Sequence, residues 1–407
     1  MNLARLQRWE FAALLCLFLA WRIVSVNLTE FASGEDAAMA ARWHIDTTNS
    51  LLNGAIEQAS ISPDEAFKYA LQAAWETPTD GRSFIMMVLL LEREHHVDVA
   101  KHLMRLVAKL FPSSPDIQLQ MGHFWVRQGE LTRAVEGWGV AMEMQPNLRP
   151  LVFPDLLALI ELPQNQPLVS PLFAKQSSWS DEFFLYAVKN AAYPATLKML
   201  YLARQGAKTP ATAEMRKAYL DRLMHDAMWA DAYFVWMNSL NEQQIKGLGN
   251  VYDGGFELDA PEEGFAWHFT NAEGVLVVPE VTFGTSGSRA LHVAFKGTHR
   301  IQPMIASQTM MLGEGGYKLS GKVRLDNIAA VNGLNWVVAC GQADLAATGY
   351  FIEKSQWQHF EVPFKVPANC PAQEIRLMVH PVDAKRQDLT GSVWFDDMAI
   401  AQDLPAR

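Results

Sequence analysis

The sequence predicts a multidomain α + β protein: an N-terminal transmembrane helix, an α-solenoid of helix pairs and a C-terminal jelly-roll β-sandwich. Three observations predict it. A mostly apolar run fills Phe11 to Leu28. Small residues, alanines and prolines recur at a fixed interval between Gly54 and Pro146. After Leu248 the helical patterns give way to short alternating runs rich in Gly, Thr, Val and aromatic residues. A length of 407 residues suits two or three domains. A hydrophobic content of 50% with 19% charged residues excludes global disorder. A net charge of −10 argues against a phosphate-facing basic surface, so no nucleic-acid partner is expected.

The segment 1–36 reads as a cytoplasmic tip and a signal anchor. The apolar run is about 18 residues long, near the lower limit for spanning a bilayer. Arg5 and Arg8 precede it; Glu30, Glu35 and Asp36 follow. The positive-inside rule leaves the N-terminus in the cytoplasm and the bulk outside. Arg22 can snorkel to the headgroups. A cleaved signal peptide and a buried first helix stay open as alternatives. A lipoprotein would use Cys16, but Leu15 is not the small residue that such processing needs.

The segment 37–245 reads as the solenoid. Ala66, Ala100 and Ala134 lie 34 residues apart, as do Pro78, Pro112 and Pro146. Gly54, Val88 and Gly122 form a third ladder at the same interval. Small residues at Gly122 and Ala134 let two antiparallel helices approach, Trp125 and Trp138 fill the space around them, and Pro146 stops the second helix. Helical patterns continue through Leu151–Leu162, Asp181–Asn190, Ala195–Gln205, Thr212–Trp229 and Ala232–Leu240. The pattern resembles the tetratricopeptide repeat, best in Met121-Gly122, Trp125, Ala134, Trp138, Ala141 and Pro146. The resemblance implies partner binding on the face of the first helix of each pair. Arg93 and Arg127 take equivalent positions there, with His123 and Glu92 beside them. Two arginines one repeat apart suit an acidic peptide tail or an anionic sugar; solvated helix charges are the plainer alternative. The run Glu92 to Asp98 is rich in metal-ligating residue types, but the repeat register puts His95 and His96 at a turn and no HExxH spacing exists.

The segment 249–402 reads as the sandwich. GVLVVPEVTF, SRALHVAFK, RIQPMIASQTMML, GYKLSGKVRLD, NWVVACG, QHFEVPFKV, EIRLMVH and SVWFDDMAI have strand character, with FGTSGSR and GEGG as turns. Cys340 and Cys370 either pair in an oxidising space or stay as separate buried thiols. Asn250-Val-Tyr-Asp-Gly-Gly-Phe-Glu257, Trp267, Ser286 to His292, Gln308, Gly316 to Ser320, Trp357 to Phe360 and Val393 to Met398 together resemble carbohydrate-binding modules of the family 4/9/22 type. That resemblance implies a structural calcium on Glu257 and Asp397, with Asp396 as the alternative carboxylate. It also implies a glycan held by aromatic faces and amides. The candidates are Trp267, His268, Trp336, Tyr350 and Gln302, while Trp357 and Trp394 match framework positions and are expected in the core.

No catalytic set emerges. GxSxG, P-loop, GxGxxG and HExxH patterns are missing, and the neighbours Asp396 and Asp397 need not converge on one cleft. The sequence therefore reads as a non-enzymatic, single-pass protein of a bacterial inner membrane with its bulk in the periplasm. Its expected partners are the lipid bilayer, membrane polysaccharide-assembly proteins and a glycan. A pure protein–protein scaffold, whose sandwich binds no sugar, is the rival reading.

Overall fold

The computed structural model describes Ala20 and residues 47–167, 173, 177–206, 210–259, 262–297, 302–329, 333–380 and 389–403. Apart from Ala20, the expected transmembrane run lies outside the described residues. Among the described residues no helix is long and apolar enough to cross a membrane. The chain divides into two compact units, one of residues 1–186 and 191–209, the other of 187–190 and 210–407.

The first unit is helical. Its pairs are α1 (Thr47–Gln58) with α2 (Pro63–Glu76), α3 (Gly81–Arg93) with α4 (Val97–Leu110), and α5 (Pro115–Arg127) with α6 (Leu131–Met144). Each first helix begins 34 residues after the one before, at 47, 81 and 115; the second helices begin at 63, 97 and 131. The ladder residues explain this period. Ala66, Ala100 and Ala134 are fully buried, and so is Val88. A Cβ at Gly122 would lie 2.2 Å from Trp138 Cδ1, so only hydrogen fits where α5 crosses α6. Trp125 and Trp138 are buried, as core tryptophans of such a contact must be. Helices α7 (Arg149–Ile160), α8 (Ser180–Asn190) and α9 (Pro194–Gln205) follow.

The second unit holds α10 (Ala213–His225), α11 (Trp229–Met237) and α12 (Glu242–Ile245) ahead of ten strands. The strands are β1 (His268–Phe269), β2 (Val275–Val281), β3 (Arg289–Lys296), β4 (Met304–Met310), β5 (Gly315–Ala329), β6 (Leu334–Cys340), β7 (Ala343–Ala347), β8 (Glu353–Val366), β9 (Gln373–Val379) and β10 (Thr390–Gln402). They form two antiparallel five-stranded sheets, ordered β1-β4-β9-β6-β7 and β2-β3-β10-β5-β8. One hydrophobic core fills the space between them. Alternation decides which residues enter it: Val393 and Phe395 point in from β10, Leu291 and Val293 from β3, Val323 and Leu325 from β5. The three helices pack on this unit. Trp236 of α11 meets Tyr252 edge to face at 5.0 Å, and Arg216 of α10 bonds the buried Glu263 carboxylate at 2.8 Å.

Candidate functional site

At one end of the β1-β4-β9-β6-β7 sheet an exposed tyrosine stands beside a half-buried histidine. An isolated bridge between Leu334 and Phe351 sets Tyr350 beside β6. Val379 N–H donates to Pro303 O at 2.7 Å, which brings the exposed Gln302 to the end of β9. His380 N–H donates to Gly333 O at 3.2 Å, fixing the histidine at the same end. Its Nε2 lies 2.7 Å from Asn335 Oδ1, and Tyr350 stands edge to face on its ring at 5.2 Å. Tyr350 is 53% exposed. An exposed phenol ring can cover the C–H face of a pyranose, and the half-buried imidazole can bond a hydroxyl, while the buried Asn335 amide holds that imidazole in place. His380 and Asn335 escaped the sequence reading. The alternation of EIRLMVH, with Ile375, Leu377 and Val379 inward, puts His380 on the opposite side and is the signal that could have found it.

Of the five expected glycan-binding residues, Tyr350 and Gln302 lie exposed toward the same end of this sheet, but β9 and β6 stand between them. His268 sits on the far edge strand, in register with Ser307, Arg376, Val337 and Ala347 across the sheet. Three strand spacings of about 4.8 Å separate β1 from β6, so His268 belongs to a different part of the face. Its Nε2 lies 3.2 Å from Gly264 O. The two tryptophans are corrections. Trp336 is 0% exposed and Trp267 5%. Trp336 alternates with Leu334 and Val338 into the core, where it meets Phe395 at 5.2 Å and Trp267 at 5.7 Å. Trp267 donates its indole N–H to Asp253 O at 3.2 Å. Neither ring has a face free for sugar.

Trp357 and Trp394, expected in the core, are the converse correction. Both stand half-buried on the outer face of the other sheet. Trp394 is registered with His292 on one neighbour and Arg324 on the other. The His292 ring stacks on it at 4.5 Å, nearly parallel, and the Arg324 guanidinium lies 4.0 Å from its centroid. Arg324 also lies 5.3 Å from the Trp357 ring. Glu280 accepts the Trp394 indole N–H at 3.2 Å and approaches His292 Nδ1 at 3.0 Å. Such stacked cation–π contacts stabilise by about 0.5–2 kcal/mol each.

The calcium expectation fails the test of its donors. Glu257 accepts Ser288 N–H and Oγ–H, each at 2.7 Å, and Arg289 N–H at 2.8 Å. Asp396 accepts Ser286 N–H at 2.9 Å and Asp397 N–H at 2.7 Å. Asp397 Oδ2 lies 2.7 Å from Lys322 Nζ. Burial pushes the Asp397 carboxyl up, but the hydrogen bonds from Lys322 and Ser286 outweigh it and hold the group below its usual value. Burial raises the Asp396 carboxyl. Calcium takes six to eight oxygen ligands, whereas these carboxylates are engaged by N–H, O–H and ammonium donors. Among the described residues no cluster of three or more His, Cys, Asp or Glu side chains could hold a metal ion. Beside them, Asp253 accepts Glu257 N–H and Leu258 N–H, and burial pushes its carboxyl up to about 6.

In the helical unit, His123, Arg127 and Glu92 do come together, but not as a free cationic pair. Arg127 grips Glu92 through two bonds of 3.0 and 2.7 Å, and Gln128 adds a third to the same carboxylate. This neutralises the arginine that was expected to hold an acidic tail. Arg93, the residue after Glu92, is exposed. His123 and Arg127 line a groove of about 680 Å³ between α5 and α7, with Trp138, Asp155 and Leu159. Burial lowers the His123 imidazole below its ordinary value, opposed by Asp155 and assisted by Arg127. His95, at φ +63°, occupies the exposed turn between α3 and α4.

Cys340 and Cys370 form a disulfide with their Cα atoms 6.0 Å apart. It joins the end of β6 to the loop before β9.

No protein-family model matches the chain, and no curated protein matches it. Among solved structures, the β unit is similar to carbohydrate-binding modules. A family 4 module is 14% identical, covering 38% of this chain and 99% of its own, with a TM-score of 0.29. The first family 22 module of Paenibacillus barcinonensis Xyn10C, a xylan-binding domain, is 16% identical, covering 38% of this chain and 94% of its own, with a TM-score of 0.26. A family 61 module, solved in complex with β-1,4-galactotriose, is 14% identical, covering 39% of this chain and 98% of its own, with a TM-score of 0.25.

Proposed function

We propose that this chain is a membrane-anchored, non-catalytic accessory factor of polysaccharide assembly or export. Its N-terminus is cytoplasmic and its bulk periplasmic. The tetratricopeptide-like helix pairs dock a protein partner, and the sandwich holds a glycan at the Tyr350 end of the β1-β4-β9-β6-β7 sheet. The observation that carries the glycan part is the exposed Tyr350 ring standing on His380, whose imidazole is held by Asn335. The Cys340–Cys370 disulfide supports an oxidising compartment. The groove between α5 and α7 supports the partner role.

The test is binding of the host's own extracellular polysaccharide to the full chain. Saturable binding is expected, and Tyr350→Ala should abolish it while the unfolding midpoint stays put. One observation favours the scaffold reading: both tryptophans expected as sugar platforms are locked in the core. Under that reading the folded wild-type chain binds no polysaccharide, and the search moves to a protein held in the α5–α7 groove.

A further inference from the structure

We infer that the Lys322 ammonium is the resident cation of the junction between the Ser286 loop and β10, standing where the resemblance implies a divalent ion. Lys322 Nζ lies 2.7 Å from Asp397 Oδ2 and donates to Ser286 Oγ at 2.9 Å. Ser286 Oγ also bonds Asp397 Oδ2, which closes a triangle of ammonium, hydroxyl and carboxylate. The fold aims the lysine there. Lys322 on β5 is the cross-strand partner of Asp396, and the register shift between Asp396 and Ala399 brings Asp397 to it with φ at +52°.

The neighbouring carboxylates are satisfied by backbone N–H groups of the loop and of the strands beside it. Asp396 takes the backbone N–H groups of Ser286 and Asp397, and Glu257 takes those of Ser288 and Arg289. A Cβ at Gly287 would lie 2.1 Å from Glu257 Oε1, so the loop backbone rests directly on that carboxylate. An ammonium needs about three acceptors and a calcium ion six to eight. The junction offers the smaller set, and a divalent ion entering it would meet a fixed positive charge. The loop is thereby tied to the last strand without a metal.

The test follows thermal unfolding of the full chain by near-ultraviolet circular dichroism, in excess EDTA and in excess calcium chloride. Titration calorimetry measures calcium uptake in parallel. The wild-type midpoint should be the same in both solutions, with no saturable heat. Lys322→Met should lower the midpoint by a few degrees and Lys322→Arg by less. In the background of Asp397→Asn, Lys322→Met should cost little more, because the two groups act as one pair. A rise of the wild-type midpoint with calcium, together with saturable binding, would overturn the inference. Full additivity of the two substitutions would do the same. The wild-type measurements decide the question even if a variant does not fold.

Discussion

Replacing Trp336 by alanine separates a core residue from a sugar platform. The indole is fully buried, with Phe395 against one side at 5.2 Å and Trp267 at 5.7 Å. Its ring is part of the hydrophobic core between the two sheets. Truncating a buried tryptophan costs about 3–5 kcal/mol, through lost transfer energy and the cavity left behind. For a unit of roughly 200 residues each kcal/mol moves the midpoint by about 2–4 °C, so Trp336→Ala should lower it by roughly 6–20 °C. Tyr350→Ala removes a side chain that is half in water and should change stability by no more than about 0.5 kcal/mol. Both variants are compared by near-ultraviolet circular dichroism on heating and by polysaccharide binding at a temperature where each is folded. If Trp336→Ala kept the wild-type midpoint and lost only glycan binding, the ring would have to face ligand, and the burial argument would be refuted.

Three further outcomes are expected. Gly122→Ala drives a methyl into Trp138 and should destabilise the helical unit by about 1–3 kcal/mol, read from urea unfolding by far-ultraviolet circular dichroism. Reduction of Cys340–Cys370, or Cys370→Ser, opens a loop of 30 residues and should cost about 3–4 kcal/mol in the chain-entropy account, read as a lower midpoint in dithiothreitol that the serine variant no longer shows. Asp253 should make the β unit more stable in mild acid. Its folded carboxyl titrates at about 6, above the unfolded value, so its contribution is complete below the ordinary carboxylate range and is lost as pH rises through about 6. Asp253→Asn, which keeps one of the two accepting oxygens and tolerates φ of +46°, should flatten that part of the pH–stability curve, at some cost in stability at every pH.

The helix pairs were legible because their signal is redundant. Three ladders at one interval, of alanines, of prolines and of Gly54, Val88 and Gly122, mark both the pairs and the contacts between them, and α1, α3 and α5 start on that interval. Eight of the ten strands were legible from alternation. The missing two, β1 and β7, are short edge strands of two and five residues, too brief to carry a period. Which face of each strand meets water was not legible. In β6 all residues from Leu334 to Ala339 are buried, so alternation carries no information about Trp336. In β10 Trp394 sits among apolar neighbours, and nothing local says that Arg324 and His292 wait on the adjacent strands to cover it. The same holds for charge. Glu257, Asp396 and Asp397 were found from sequence, but Lys322 lies 75 residues before Asp397 and meets it only through the β5–β10 pairing. Arg127 likewise lost its expected freedom to Glu92, which lies 35 residues earlier.

The row His292–Trp394–Arg324–Trp357 gives the sandwich a front and a back. His292 stacks on the Trp394 ring and the Arg324 guanidinium lies over it and reaches the Trp357 ring, so the Trp394 ring is occupied by its own neighbours. Nearby, Trp357 bonds Phe283 O and holds in place a loop whose phenylalanine is 91% exposed. A flexible polymer that bound both sides of such a domain would bridge copies into a gel. If the proposed site at Tyr350 is the one that binds, a domain closed on the other side would take the polymer in a single orientation and leave neighbouring chains free to slide past.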